Sequence, residues 1–137
     1  MAAVDRNALL AHVERLLEPH KGRRQLDVFP DSAAEFQAKY LKSQAGAWLL
    51  GYAGGRKLRG GEGARARSFA VDVTVLSRRL SGDGGALDDV ATIEGAVDGQ
   101  RFALGDVGYV VEATTDSFLG EEDQVWKYTV RLVCTTL

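Results

Sequence analysis

The sequence predicts an α/β domain of the α+β type: a single mixed, largely antiparallel sheet with two main helices packed on one face, in the order α-β-α-β-β-α-β-β. Three observations predict it. Apolar residues recur at spacings of three and four over residues 9–17 and again over 87–97, the pattern of helices with one buried stripe. Apolar and polar residues alternate through 69–75, 107–113 and 126–134, the pattern of strands with one buried face. The chain has 137 residues with 45% apolar and 26% charged content, ordinary for one folded domain, and at that length roughly two-thirds of the unfolded surface can be buried.

Leu9, Leu10, Val13, Leu16 and Leu17 form the stripe of the first helix, with Arg6, Glu14, Arg15 and Glu18 off it and Pro19 as its stop. Residues 24–29 alternate loosely through Leu26 and Val28 and read as a short strand ended by Pro30. Ser32 and Glu35 have the spacing of a capping box, in which each side chain satisfies an amide left open in the first turn. The helix that follows, to about Leu41, carries Phe36 and Tyr40 as its only apolar pair at helical spacing, which places it on the surface. Residues 47–53 leave no polar face, with Trp48, Leu49, Leu50 and Tyr52, and predict a buried central strand.

Residues 54–67 contain five glycines and five basic residues without apolar periodicity, and are expected to form a mobile loop. The alternating strand of 69–75 follows and runs on toward Arg78. Asp83 is placed to cap the next helix; Leu87, Val90, Ala91 and Val97 make its stripe, Asp88 and Asp89 suit its first-turn dipole, and Gly99 stops it. The last two strands are joined by an acidic turn over 116–123, which suits an antiparallel hairpin. No internal repeat or domain boundary is visible, so residues 1–137 are expected to form one domain.

The net charge of −2 argues against a dedicated binder of nucleic acid or anionic membrane, which would carry a basic excess. With a single cysteine, Cys134, and charge already at Asp5 and Arg6, the sequence suggests a cytosolic protein without a disulfide or a signal peptide. The longest apolar run, 45–53, is broken by glycines and is too short to anchor in a bilayer.

Signals for chemistry are sparse. Gly61-Glu62-Gly63-Ala64-Arg65-Ala66 matches G-x-G-x-x-A, but a strand follows it where a dinucleotide site needs a helix. The turn at 82–85 does precede a helix, so its amides offer a cradle for an anion; the plainer reading is a tight strand-to-helix turn, because no Lys or Ser/Thr follows as in a phosphate loop. His12 and His20 have no partner at metal-ligand spacing, and Cys134 sits on the apolar side of its strand, where a thiol packs as a small hydrophobe. Glu121, Glu122 and Asp123 are adjacent, whereas calcium loops use alternate positions. The expectation is a non-enzymatic protein with no cofactor and no metal.

Two charged connections remain as candidate interface residues: Arg56, Lys57, Arg59, Arg65 and Arg67 in the basic loop, and Glu121, Glu122 and Asp123 in the acidic turn. Charged turns are what soluble proteins commonly display. Opposite charge on two separated patches also lets one copy dock on the next, a heterologous contact that closes into a ring if the rotation permits. The basic loop would equally suit DNA threaded through such a ring, because contacts to phosphate need no defined sequence.

Phe29-Pro30-Asp31 with Glu35-Phe36, the strand Phe69-Ala70-Val71-Asp72-Val73-Thr74-Val75, and Gly120-Glu121-Glu122-Asp123-Gln124-Val125-Trp126-Lys127-Tyr128 resemble a family of tail proteins from Mu-like phages and prophages. The resemblance runs from about residue 24 to the end, and the element order is similar to that of phage tail terminators. It implies a structural role: a hexameric ring that caps the tail tube, stops its polymerisation and offers a surface for the head or neck. The implied partners are further copies of the chain, the tail tube protein, the sheath of a contractile tail and a neck or connector protein, with DNA contacted non-specifically in the lumen and no membrane. The implied location is the tail-neck junction of the virion, after assembly in the host bacterial cytoplasm. The resemblance brings no catalytic residues, and the 54–67 segment has no match in it. A neck or head-completion connector is the neighbouring reading, and a small-ligand or anion-binding module at 82–85 is the one from a different class.

Overall fold

The computed structural model describes residues 4–41, 45–57, 66–82 and 84–137. Its elements are α1 (Arg6–Leu17), β1 (Gln25–Val28), α2 (Ala33–Phe36, continuing as a wider helical turn over Gln37–Leu41), β2 (Ala47–Lys57), β3 (Arg67–Ser77), α3 (Ala86–Val97), β4 (Arg101–Leu104), β5 (Val107–Glu122) and β6 (Val125–Thr136). The strands form one six-stranded mixed sheet in the order β1-β2-β3-β6-β5-β4, with β1 parallel to β2 and every other pair antiparallel.

Alternation decides the layers. Phe69, Val71, Val73 and Val75 of β3 and Val130, Leu132 and Cys134 of β6 point to the same side, where Leu9, Val13 and Leu17 of α1 and Val90, Ile93 and Val97 of α3 cover them. Helix α1 begins where the Asp5 carboxylate accepts from the amides of Asn7 and Ala8, and a short 3-10 turn at Glu18–His20 ends it around Pro19. The two main helices thus lie on one face, as the sequence predicts.

The structure departs from the sequence reading in five places. A ninth element, β4, pairs with β5; at four residues it is too short to give a period, and the turn behind it depends on Gly105 at a φ of +61°. Gly54, Gly55, Arg56 and Lys57 continue β2 and Arg67 opens β3, so the ends of the expected mobile loop are ladder residues, while the expectation for 58–65 lies outside the described residues. The acidic turn is likewise mostly strand. β5 runs to Glu122 and the reversal is only Asp123 and Gln124, both at positive φ (52° and 66°), as a two-residue hairpin turn requires.

The fourth difference is the depth of α2. Tyr40 is buried at 3% exposure, packed with Ala47, Leu49, Leu76 and Val125 on the face of the sheet away from α1 and α3, and its hydroxyl donates to Asp27 Oδ2 at 3.0 Å. Leu49 stands between Asp27 and Thr74 in the ladder, and Tyr40 covers it on that face. The fifth is α3. Asp83 lies outside the described residues and the N-cap position is Gly85, while Leu87 and Ala91 face solvent and the buried stripe is Ala86, Asp89, Val90, Ile93 and Val97.

The presence of Asp89 in that stripe fixes the helix layer to the sheet. Its carboxylate accepts from Trp48 Nε1 at 3.0 Å, from Arg24 Nε at 3.1 Å and from Arg24 Nη2. Burial raises its pKa, and the hydrogen bond from Trp48 and the charge and hydrogen bonds of Arg24 oppose that rise. One carboxylate therefore joins α3, β2 and the approach to β1. Truncating only the cation leaves a buried, unpaired charge, which costs about 3 kcal/mol. Arg24→Ala is expected to lower the unfolding free energy from urea titration by that amount, and Asp89→Asn, whose amide oxygen still accepts from Trp48, to lower it less; equal losses would remove the ion pair from the account.

Cys134 has no exposure, and burial pushes its thiol up to about 12. A thiol reagent at pH 8 is expected to react only at the rate of unfolding, and stoichiometric labelling of the native protein within minutes would contradict the packing.

Candidate assembly surfaces

The basic and acidic candidates stand at opposite ends of one sheet. Lys57 pairs with Arg67 and Arg56 with Ser68 at the end where β2 leads into β3. Glu121 pairs with Trp126 and Glu122 with Val125 at the β5–β6 tip, and Trp126 in turn faces Ser77 at the far end of β3. β3 thus spans from Arg67 to Ser77, about 33 Å at the rise of an extended strand. Arg59 and Arg65 lie outside the described residues.

The basic end is ordered by its own contacts. The Arg67 guanidinium lies 5.2 Å from the centre of the Phe69 ring, and its backbone N–H donates to Thr136 Oγ1 at 2.9 Å. Arg6, at the start of α1, joins it, with its guanidinium 5.3 Å from the Tyr52 ring and 5.7 Å from the Phe69 ring. Arg56 and Lys57 are exposed. Sequence reasoning missed Arg6, because only the tertiary fold carries the first turn of α1 to this end of the sheet.

At the acidic tip, part of the charge serves the turn. Glu121 Oε1 accepts from the Gln124 amide at 2.7 Å, Glu122 pairs with Lys127, and the Asp123 carbonyl accepts from Arg78. A second acidic group, of which the sequence points only to Asp116 at the start of the acidic turn, lies further along β5. Asp116 lies against Glu94 of α3, with Asp98 close by, and Asp98 Oδ1 accepts from the Ala113 amide at 3.0 Å. The hydrogen bond shared with Asp116 raises the pKa of Glu94, as do burial and the charges of Asp116 and Asp98. No residue spacing announces this cluster, because α3 and β5 meet only in the fold.

Beside these carboxylates β5 exposes apolar surface. Phe118 and Leu119 are each 54% exposed, and the Phe118 ring lies 5.3 Å from Tyr128 and 6.1 Å from Trp126. On the face away from the main helices, Arg131 makes a bidentate ion pair with Asp72 at 2.8 and 2.9 Å beside a shallow cleft of about 460 Å³ lined by Arg56, Ser68, Ala70 and Thr135.

The remaining sequence candidates have structural employment. In the 82–85 turn the Gly85 amide donates to Gly82 O and the Gly84 amide to Asp88 Oδ2, and the first amides of α3 donate to Arg79 O and Leu80 O, so donors that would cradle an anion are already used. His12 stacks on Phe102 with ring centres 4.1 Å apart, and burial with the nearby Arg15 lowers its pKa. No helix among the described residues is long and apolar enough to cross a membrane.

The model of the Gp37 protein family matches residues 13–137, and the chain belongs to that family. The family is phage-related, which identifies the chain as a phage structural protein. Comparison with curated proteins finds no match.

The carboxyl cluster has a definite pH signature. Because the folded pKa of Glu94 lies above its ordinary 4.5, its favourable contribution is present below that value and is lost as pH rises through the raised one. Glu94→Gln is therefore expected to raise the melting temperature relative to the native sequence at pH 7, with the difference shrinking below pH 4.5. A difference that stays constant across this range would show that Glu94 and Asp116 do not share a proton.

Proposed function

We propose that this member of the Gp37 family is a tail terminator: a ring-forming protein that caps the tail tube, halts its polymerisation and presents the surface to which the head or neck attaches. The observation that carries the reading is the placing of opposite charge at opposite ends of a single sheet, with Arg6, Arg56, Lys57 and Arg67 at one end and Asp116, Glu121, Glu122 and Asp123 toward the other. A chain so polarised attracts a second copy head to tail, and a head-to-tail contact closes into a ring where its rotation permits. Membership of a phage-related family and the earlier resemblance to tail terminators support the same reading.

The mechanism is steric. A ring seated on the last layer of tube subunits leaves no edge for another layer, and its far face is free for the neck. The protein works through the shape and charge of its exterior and makes no bond in any substrate. Its partners are copies of itself, six in the favoured ring, with the tube protein below and a neck protein above; the sheath is a further neighbour in a contractile tail. Basic residues facing the lumen suit passing DNA, with no base contacts required. Its place is the tail-neck junction of the virion, reached after assembly in the host bacterial cytoplasm.

Negative-stain microscopy and native mass spectrometry of the concentrated protein are expected to show closed rings, and the double variant Arg56→Glu with Lys57→Glu to reduce the ring fraction about tenfold with its circular dichroism unchanged. Monomers alone at every concentration, with and without purified tube protein, would overturn the reading.

A further inference from the structure

The flanking strands of the sheet are much shorter than the strands they cover. β1 pairs with β2 over only Gln25–Val28, and the last bond on that side is donated by the Phe29 amide to Leu50 O. Beyond it β2 continues to Lys57 with no backbone partner on its outer side among the described residues. β4 covers β5 only from Val107 to Val110, after which Gly99, Gln100 and the Asp98 carboxylate bond to Val111 and Ala113. From Thr114 to Glu122 the outer side of β5 likewise has no backbone partner among the described residues. An open edge is a template for another strand, and the two open edges occupy diagonally opposite corners of the sheet.

We propose that these edges join consecutive copies of the chain: β2 of one copy adds antiparallel to β5 of the next, with Lys57 opposite Asp116, Arg56 opposite Ser117 and Gly55 opposite Phe118. The inference rests on the ring reading and names the contact that builds the ring.

Direction, face and charge each select this arrangement. β2, β3, β6 and β5 alternate in direction, so β2 and β5 run opposite ways, and copies set side by side in one orientation meet antiparallel. Residues opposite one another must share a face of the sheet. Lys57 and Gly55 pair with Arg67 and Phe69, on the helix side; Asp116 and Phe118 pair with Val130 and Tyr128, also on the helix side. Arg56 and Ser117 pair with Ser68 and Thr129, on the other side. Face parity permits this register and those two residues away, and charge chooses among them. Lys57 comes opposite Asp116, beside Glu94 and Asp98, so the most crowded carboxylates receive a cation. Cross-strand pairs of opposite charge are favourable and like pairs are not. The space over Gly55 is filled by the Tyr52 hydroxyl and the Phe69 ring, so the exposed Phe118 ring would pack on top of that aromatic cover rather than into a gap.

Irregularities in the β5 ladder between Ala113 and Thr115 and between Phe118 and Gly120 interrupt the edge on either side of the proposed segment. They restrict ready pairing to residues 115–118, which keeps an open edge from recruiting strands indiscriminately.

The geometry also closes. Lys57 faces Arg67 on β3, whereas Asp116 faces Val130 and through it Val73, so the paired segments stand six residues apart along the sheet. That is about 20 Å along the strands, against about 19 Å across the four strands β2, β3, β6 and β5 that separate one contact from the next. A repeat with those components lies in one plane when the strands incline about 45° to the ring axis, at the upper end of the range that strands adopt in closed barrels.

The direct test places cysteines at both ends of the contact. With Cys134 buried, a chain carrying Lys57→Cys and Asp116→Cys is expected to form, on mild oxidation at ring-forming concentration, a ladder of disulfide-linked multimers that ends at the copy number of the ring, while each single variant stays unlinked. In parallel, Asp116→Lys is expected to reduce the ring fraction about tenfold and the added Lys57→Asp to restore it, with circular dichroism and the protection of Cys134 confirming the fold. Rings that neither link through positions 57 and 116 nor respond to the charge swap overturn this contact and leave the ring reading standing. If the native sequence forms no rings under any condition, both are overturned.

Discussion

A carboxylate of 2% exposure, Asp89, holds the helix layer on the sheet, and its requirements are strict because an unpaired charge in that position is so unfavourable. It is satisfied only when Trp48 of β2, Arg24 before β1 and the first turn of α3 are all in place. The contact thus selects one seating of α3 across β2 and β3, where apolar packing alone would tolerate neighbouring ones. With that seating fixed, Val90, Ile93 and Val97 cover the inner residues of β3 and β6, and α1 fills the space beside them.

The same seating determines what remains outside. The two main helices cover one face, α2 covers a corner of the other around Leu49 and Val125, and the short strands β1 and β4 cover half of each edge. The open backbone that remains is basic at the β2 corner and acidic at the β5 corner. Both suit a surface that repeats, which is the demand placed on a structural protein of a phage.

The buried framework was legible in the sequence wherever one period persisted for several residues. Val71, Val73 and Val75, and Val130, Leu132 and Cys134, announce both their strands and the face that is buried. The stripe of α3 was misplaced because hydrophobicity puts Leu87 inside, whereas the real inner face carries Asp89, whose partner Arg24 lies 65 residues away. Composition misled twice at strand ends. Gly54, Gly55 and Arg56 look like loop, and Asp116, Glu121 and Glu122 look like turn, yet all are ladder residues, because a strand that is paired on one side and open on the other tolerates glycine and charge. The candidate charges were legible as two groups, but Arg6, Glu94 and Asp98 join them only through the packing of α1 and α3, which no local pattern records.

The central claim is that opposite charge at the two ends of this sheet brings copies together. Sedimentation velocity across a series of salt concentrations tests it most directly, because screening weakens attraction between exposed charges while leaving the buried core unaffected. The account predicts a ring-sized species at low salt that gives way to monomer as salt rises, with no loss of folded signal. A monomer at every salt and protein concentration would contradict it, as would an assembly indifferent to salt.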